Sequence, residues 1–236
     1  MAGGRAKLGE IISVKTLVDS VYTGRLRALP PEGQQTGIFK NAVAGRVAVG
    51  PEGLAGDAQA DRRVHGGPEK AVHYYPAEHY AGLAAEVPER AGLLHPGALG
   101  ENLSGQGLTE QNVCIGDVFA LGSCHLQVSQ PRQPCWKISH KLDHPSMSRL
   151  IAAKGWTGWY FRVLQEGEIA AGDVLELIER PAPECNLARL WVACQQHRAD
   201  PRELQLLAAA AGLNEAWSRR LRERAAWLLS QEVPPC

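Results

Sequence analysis

Short runs in which apolar and polar positions alternate dominate the first three quarters of the chain. Near residue 180 they give way to apolar positions spaced three and four apart. Cys124-His125-Leu126-Gln127-Val128-Ser129 alternates strictly, the pattern of a strand with one buried face. Residues 46–49 and 71–75 are short and β-prone, and residues 8–18 open with Ile11, Ile12, Val14 and Leu17. One local pattern recurs. Ile115-Gly116-Asp117-Val118 and Ala171-Gly172-Asp173-Val174 both read as a Gly-Asp turn launching a strand, a recurring turn rather than an internal duplication. Helical pattern is sparse in this part: residues 76–85, 146–153 and 159–165 are the expected helices.

Residues 179–184, with two prolines, read as a linker. Beyond it, Leu187, Leu190, Trp191 and Cys194 mark one amphipathic helix, and Leu204, Leu207, Ala208 and Ala211 a second. The second opens with Asp200 as N-cap and Pro201 at its first position, and stops at Gly212. A third starts at Asn214 and carries Trp217, Leu221, Ala225 and Leu228 on one face. Its other face holds Arg219, Arg220, Arg222 and Arg224, which reads as a solvated face or as a surface for an acidic partner. Many short strands, Gly turns and few helices predict a mainly β fold, a closed or nearly closed β-barrel over residues 1–180. A small three-helix subdomain over residues 185–232 follows.

Composition narrows the function classes. The 236 residues carry 25 basic and 25 acidic side chains and no net charge, which removes the footprint of a general nucleic-acid binder. No apolar run is long enough to span a membrane, and charges interrupt any signal-peptide core near the N-terminus, so a cytoplasmic protein is expected. Six cysteines (114, 124, 135, 185, 194 and 236) form no CxxC pair; a zinc ribbon or redox dithiol is not readable. Phosphate-loop, dinucleotide-fingerprint, nucleophile-elbow, iron–sulfur and haem spacings are all missing.

Four segments carry candidate chemistry. In Ser129-Gln130-Pro131-Arg132-Gln133-Pro134-Cys135-Trp136-Lys137, prolines end a strand and place Cys135 between two cations that favour thiolate. Residues 56–68 bring Arg62, Arg63, His65 and a Gly-Gly pair into one polar loop, which reads equally as an anion site or as a tight surface turn. His73, in a strand-like run, reads as a core or rim histidine. Gly100-Glu101-Asn102-Leu103 and Gly37-Ile38-Phe39-Lys40 are weak signals alone.

Taken together, Leu54-Ala55-Gly56-Asp57, Val64-His65-Gly66-Gly67 with Ala71-Val72-His73, Gly100-Glu101-Asn102-Leu103 and Gln130-Pro131-Arg132-Gln133-Pro134-Cys135 resemble something specific. In this order, followed by Gly155-Trp156-Thr157-Gly158-Trp159-Tyr160 and Gly172-Asp173, they look like the MOSC family, the molybdenum-cofactor sulfurase C-terminal domain. The three-helix tail further resembles its YiiM-like subgroup. Trp136, after the cysteine, is a departure. The resemblance implies a MOSC-type β-barrel holding a molybdopterin-type molybdenum cofactor, with Cys135 as protein ligand to molybdenum. It also implies a Lys40–His65–Cys135 group at the reaction centre, with Arg62, Asn102, Ser129 and Arg132 as candidates for the cofactor's pterin and phosphate. The implied activity is reduction of N-hydroxylated compounds, such as 6-hydroxylaminopurine to adenine. Because the chain shows no flavin, haem or iron–sulfur motif, electrons would come from an external reductase, a flavoprotein by expectation. Two other readings stay open: a non-catalytic cofactor or sulfur carrier using Cys135, and a hydrolase with a Cys135–His65 pair.

Overall fold

The computed structural model describes residues 14–31 and 33–232. The expected strand positions 8–13 and Cys236 lie outside the described residues. Among the described residues there are fourteen strands: β1 (Lys15–Leu17), β2 (Ser20–Thr23), β3 (Arg27–Leu29), β4 (Gln34–Thr36), β5 (Asn41–Ala42), β6 (Val47–Gly50) and β7 (Gly53–Leu54) come first. They are followed by β8 (Val72–Pro76), β9 (Leu103–Gly105), β10 (Val118–Leu121), β11 (Cys124–Pro131), β12 (Trp159–Gln165), β13 (Gly167–Ile169) and β14 (Val174–Glu179). The helices are α1 (Arg62–His65), α2 (Glu78–Glu86), α3 (Trp136–Lys141), α4 (Met147–Lys154), α5 (Leu187–Gln195), α6 (Pro201–Ala208) and α7 (Glu215–Glu232).

Nine strands make one sheet in the order β1-β14-β10-β11-β12-β8-β9-β2-β5, antiparallel except for the parallel β8–β9 pair. β1 and β2 are consecutive in the chain, separated by Val18 and Asp19, yet stand first and eighth in the order. The sheet therefore curls until its two ends meet at this bend. Val18 donates its N–H to Asp173 on one side (3.0 Å) and Asp19 to Ser104 on the other (2.9 Å). The expected closed barrel is corrected here. β1 pairs with β14 and β2 with β9 and β5, so a bent chain, not a ladder, joins the ends and leaves strand edges.

The two Gly-Asp turns are the same device. Gly116 and Gly172 take positive φ (79° and 89°), and the carboxylates of Asp117 and Asp173 accept the N–H three residues back, from Cys114 and Ala170. The strands they launch, β10 and β14, pair with one another. The expected helix at residues 159–165 is a second correction. This segment is β12, at the centre of the sheet between β11 and β8. Trp159 and Phe161 alternate inward, and Trp159 stacks on Tyr74 with ring centroids 4.5 Å apart, so period two wins over the helical reading.

One continuous core runs from the sheet interior (Phe119, Leu126, Phe161, Leu175) into the apolar faces of α5, α6 and α7 (Leu190, Leu207, Leu221). Asn186, Asp200 and Asn214 cap those helices with side-chain oxygens. The arginine face of α7 is partly spent inside the molecule. Arg224 donates to the last carbonyls of α5, and Arg222 pairs with Glu215. A second core, with Tyr80, Leu83, Leu99, Ile138 and Ile151, packs α2, α3 and α4 behind the loops described next. No described helix is long and apolar enough to cross a membrane.

Candidate active site

β11 ends at Pro131, and the Gln133-Pro134 turn carries the chain from Arg132 to Cys135, which sits half-buried at the start of α3. The ladder with β12 ends at Pro131 and the Arg132 N–H, and beyond Pro134, which has no N–H to pair, the segment faces a cleft. That cleft is lined by Lys40, Asp57, His65, His73, Asn102, Arg132, Cys135 and Tyr160 among others. Cys135, His65, Lys40, Arg132 and Asn102 are thus brought together as the sequence predicts. Two predicted residues are not. Ser129 is fully buried and donates its hydroxyl to backbone carbonyls of Glu69 and Tyr160; Arg62 lies in a neighbouring groove and pairs with Glu52.

The thiol is activated by its surroundings. Burial pushes the Cys135 thiol up, but a hydrogen bond with His65 and the Arg132 charge outweigh it and bring it down to about 7. Burial pushes the thiols of Cys114, Cys124 and Cys185 the other way, to about 11, 11 and 12. His73 is driven well below the usual histidine range by burial and by the charges of Arg132 and Lys40, so its ring is neutral at pH 7.

Asp57, quoted in the resemblance but given no role by the sequence, is central to the cleft wall. Its carboxylate accepts from the amide of Gly24 (2.8 Å), from Asn102 Nδ2 (2.9 Å) and from Lys40 Nζ. Burial lowers the Lys40 pKa even against that carboxylate. Asn102 spends its side chain on the protein, donating to Tyr22 and Asp57 and accepting the His73 N–H (3.0 Å). It therefore positions its neighbours. Glu101, fully buried, accepts from Tyr80, Gly97 and Leu99 and fixes the loop that precedes Asn102. Behind the cleft, Lys141 donates to the carbonyls of Ile38 and Gly97, tying the Lys40 loop to the Glu101 loop. Long-range packing brings Asp57, Lys141 and Tyr160 here; Asp57 and Tyr160 stand in segments that carry the family resemblance, while no local signal marks Lys141.

Lys40, Lys70, Arg132 and Lys137 line the cleft against one carboxylate, Asp57. Two buried polar atoms in its wall, Arg132 Nη1 and His73 Nε2, have no hydrogen-bond partner. A buried guanidinium with an open donor is costly unless an acceptor completes it. The cation surplus and the open guanidinium donor would suit an anionic ligand.

Comparison with known proteins shows the family. Residues 61–176 match the MOSC domain model. Protein YiiM of Escherichia coli is 41% identical over 204 residues, covering 86% of this chain and 90% of that protein. This chain belongs to the MOSC-domain family. Within it, the chain is YiiM-like: the crystal structure of YiiM from Escherichia coli matches with a TM-score of 0.77 at 33% identity, covering 94% of this chain and 96% of that one. A Gibberella moniliformis protein named "Reductase" is 39% identical over 166 residues, 70% of this chain but 29% of that protein. The matched MOSC segment holds His65, His73, Asn102, Arg132, Cys135 and Tyr160, whereas Lys40 and Asp57 reach the cleft from in front of it.

MOSC domains form a molybdenum-cofactor-binding family, and the donor set here fits such a group. Among the described residues no three metal-ligating side chains cluster. A metal at this site would meet one soft thiolate from the chain and take its other ligands from its own cofactor. The open Arg132 donor and the surplus of cations suit a group carrying phosphate and sulfur anions.

Proposed function

We propose that this MOSC protein is a molybdenum-cofactor-dependent reductase of N-hydroxylated compounds, with 6-hydroxylaminopurine as the model substrate. The observation that carries the reading is the Cys135 thiolate, held near neutrality by His65 and Arg132 in a cation-lined cleft. Cys135 would be the protein ligand to the metal. Arg132 would hold the cofactor's anionic groups, with Asn102 keeping the wall in register. The bound cofactor would supply two-electron chemistry at a metal that accepts oxygen. Overall, an N-hydroxylamine takes up two electrons and two protons, its N–O bond breaks, and amine and water leave. His65, hydrogen-bonded to Cys135, would deliver one proton to the departing oxygen. Lys40, held by Asp57 at the same wall, would orient that oxygen through its ammonium group.

The electrons would come from a separate reductase. The test is an anaerobic assay of cofactor-loaded protein with an artificial low-potential donor, following 6-hydroxylaminopurine loss and adenine formation. Adenine formed only with both cofactor and donor supports the reading. No adenine from fully loaded protein with donor present overturns it. In that case the carrier reading, which the same accessible thiolate supports through a Cys135 persulfide, takes its place.

A further inference from the structure

Glu110 touches nothing in the cleft, yet its side chain is almost wholly buried and fully engaged. One carboxylate oxygen accepts the amide of Gly158 (2.6 Å), and the other binds His79 Nε2 (2.7 Å). Its backbone carbonyl accepts the amide of Ala188, in the first turn of α5 (2.8 Å). His79 in turn stacks on Trp156, with ring centroids 5.3 Å apart and planes 14° from parallel. The 156–158 turn is therefore gripped from two sides by one buried pair.

That turn is the underside of the cleft wall. The Gly158 carbonyl accepts the backbone N–H of Arg132 (3.1 Å). Gly158 has φ +63°, and a Cβ there would lie 2.4 Å from the Tyr74 carbonyl and 3.2 Å from His73 Nε2. Its backbone thus lies directly against the imidazole and anchors the strand end that carries the guanidinium. A continuous path runs from the Glu110 carboxylate through the Gly158 peptide to Arg132. Arg132 and His73, both held against this turn, are the two cleft residues with a buried polar atom that lacks a partner.

We infer that Glu110, paired with His79, is a positioning residue that sets the Arg132 guanidinium against Cys135 by holding the Gly158 turn. A carboxylate suits this because it offers two acceptors in one plane, one for an amide donor and one for the histidine. Removing it leaves the Gly158 N–H buried without an acceptor, so the turn moves and Arg132 moves with it.

The test is the rate of Cys135 carbamidomethylation by iodoacetamide at pH 7, read on the Cys135 peptide by mass spectrometry. It does not depend on the reductase reading, because it uses neither substrate nor donor. Iodoacetamide reacts with the thiolate, so a guanidinium drawn away from the thiol slows the reaction. E110A is expected to slow Cys135 roughly two-fold or more. E110Q, which still accepts from Gly158 and can donate to a neutral His79, is expected to restore most of the rate. In an R132Q background, E110A should add nothing further, because the effect runs through Arg132. An unchanged rate in folded E110A, or an equal additional loss in the R132Q background, overturns the inference. If E110A does not fold, E110D carries the same test: it keeps the charge beside His79 but falls one methylene short of Gly158. A rate slowed in E110D, with E110D adding nothing in the R132Q background, supports the inference, and an unchanged rate or an equal additional loss in that background overturns it.

Discussion

Replacing Asp57 by Asn tests whether the cleft's electrostatics have been read correctly. The substitution keeps the side-chain shape but removes the charge, and one acceptor oxygen becomes a donor facing Lys40 and Asn102. Lys40 then holds a buried ammonium without its partner, and breaking a buried pair in this way costs about 3–5 kcal/mol. Lysine has an escape by losing its proton. From an ordinary pKa of about 10.4, discharging it costs about 4.6 kcal/mol at pH 7 but only about 2 kcal/mol at pH 9. These values cap the penalty. The sign follows from the direction of the shift. Burial already holds the Lys40 pKa below its unfolded value, so its burden is full at low pH and is relieved as pH rises toward that unfolded value. Loss of Asp57 lowers the folded pKa further and widens this window downward.

Urea unfolding followed by tryptophan fluorescence at pH 7 and pH 9 gives both numbers. D57N should lose about 3–4.6 kcal/mol at pH 7 and about 2 or less at pH 9, and the K40M/D57N double variant should recover more than half of the loss. A D57N loss below about 1 kcal/mol at pH 7, or one equal at both pH values, refutes the reasoning.

Three further outcomes are expected. Iodoacetamide labelling of Cys135 should reach half its maximal rate near pH 7, rising as the thiolate forms, while Cys114, Cys124 and Cys185 stay slow; a Cys135 midpoint near 9 would count against the His65–Arg132 account. Gly158→Ala should destabilise by roughly 1–3 kcal/mol, because it forces a Cβ against the Tyr74 carbonyl at a left-handed φ; an unshifted urea midpoint would show that the turn relaxes freely. We also propose that residues 1–180 and 185–232 are a sheet domain and a helical unit docked on it. Truncation after Arg180 should leave a folded sheet domain with a lowered urea midpoint, since the shared core loses Leu187, Leu190 and Leu207, and circular dichroism showing no folded sheet would make the helices part of one indivisible domain.

Features that depend on neighbours in the chain were legible before folding. The alternation over Cys124–Ser129, the paired Gly-Asp turns, the Asp200 cap and the helix start at Asn214 are each written in a few neighbouring residues. The 159–165 segment misled because Trp-Tyr-Phe-Arg-Val-Leu fits either period, and its place between β11 and β8 decides the matter. Barrel closure misled because it depends on whether a bend of two residues or a ladder joins the sheet ends. In the site, the Pro-bracketed cysteine announces itself, and Arg132 goes with it. Ser129, three residues earlier, does not, because it is still inside the strand and its hydroxyl is taken by two carbonyls. Asp57 is 45 positions from Asn102 and 17 from Lys40; only the folded chain shows one carboxylate serving both. His73, which reads as a core or rim histidine, is buried in the cleft wall with an open Nε2.

The central claim is that this cleft holds molybdenum through Cys135. It is tested most directly by elemental analysis, with pterin fluorescence, of wild-type and Cys135→Ser protein purified anaerobically from a host that makes the cofactor. Close to stoichiometric molybdenum with a pterin signal is expected in the wild type. The serine variant should be folded and depleted of metal, because a hydroxyl is a poor partner for a soft site. Wild-type protein without molybdenum or pterin, or a serine variant that retains both in full, would contradict the account.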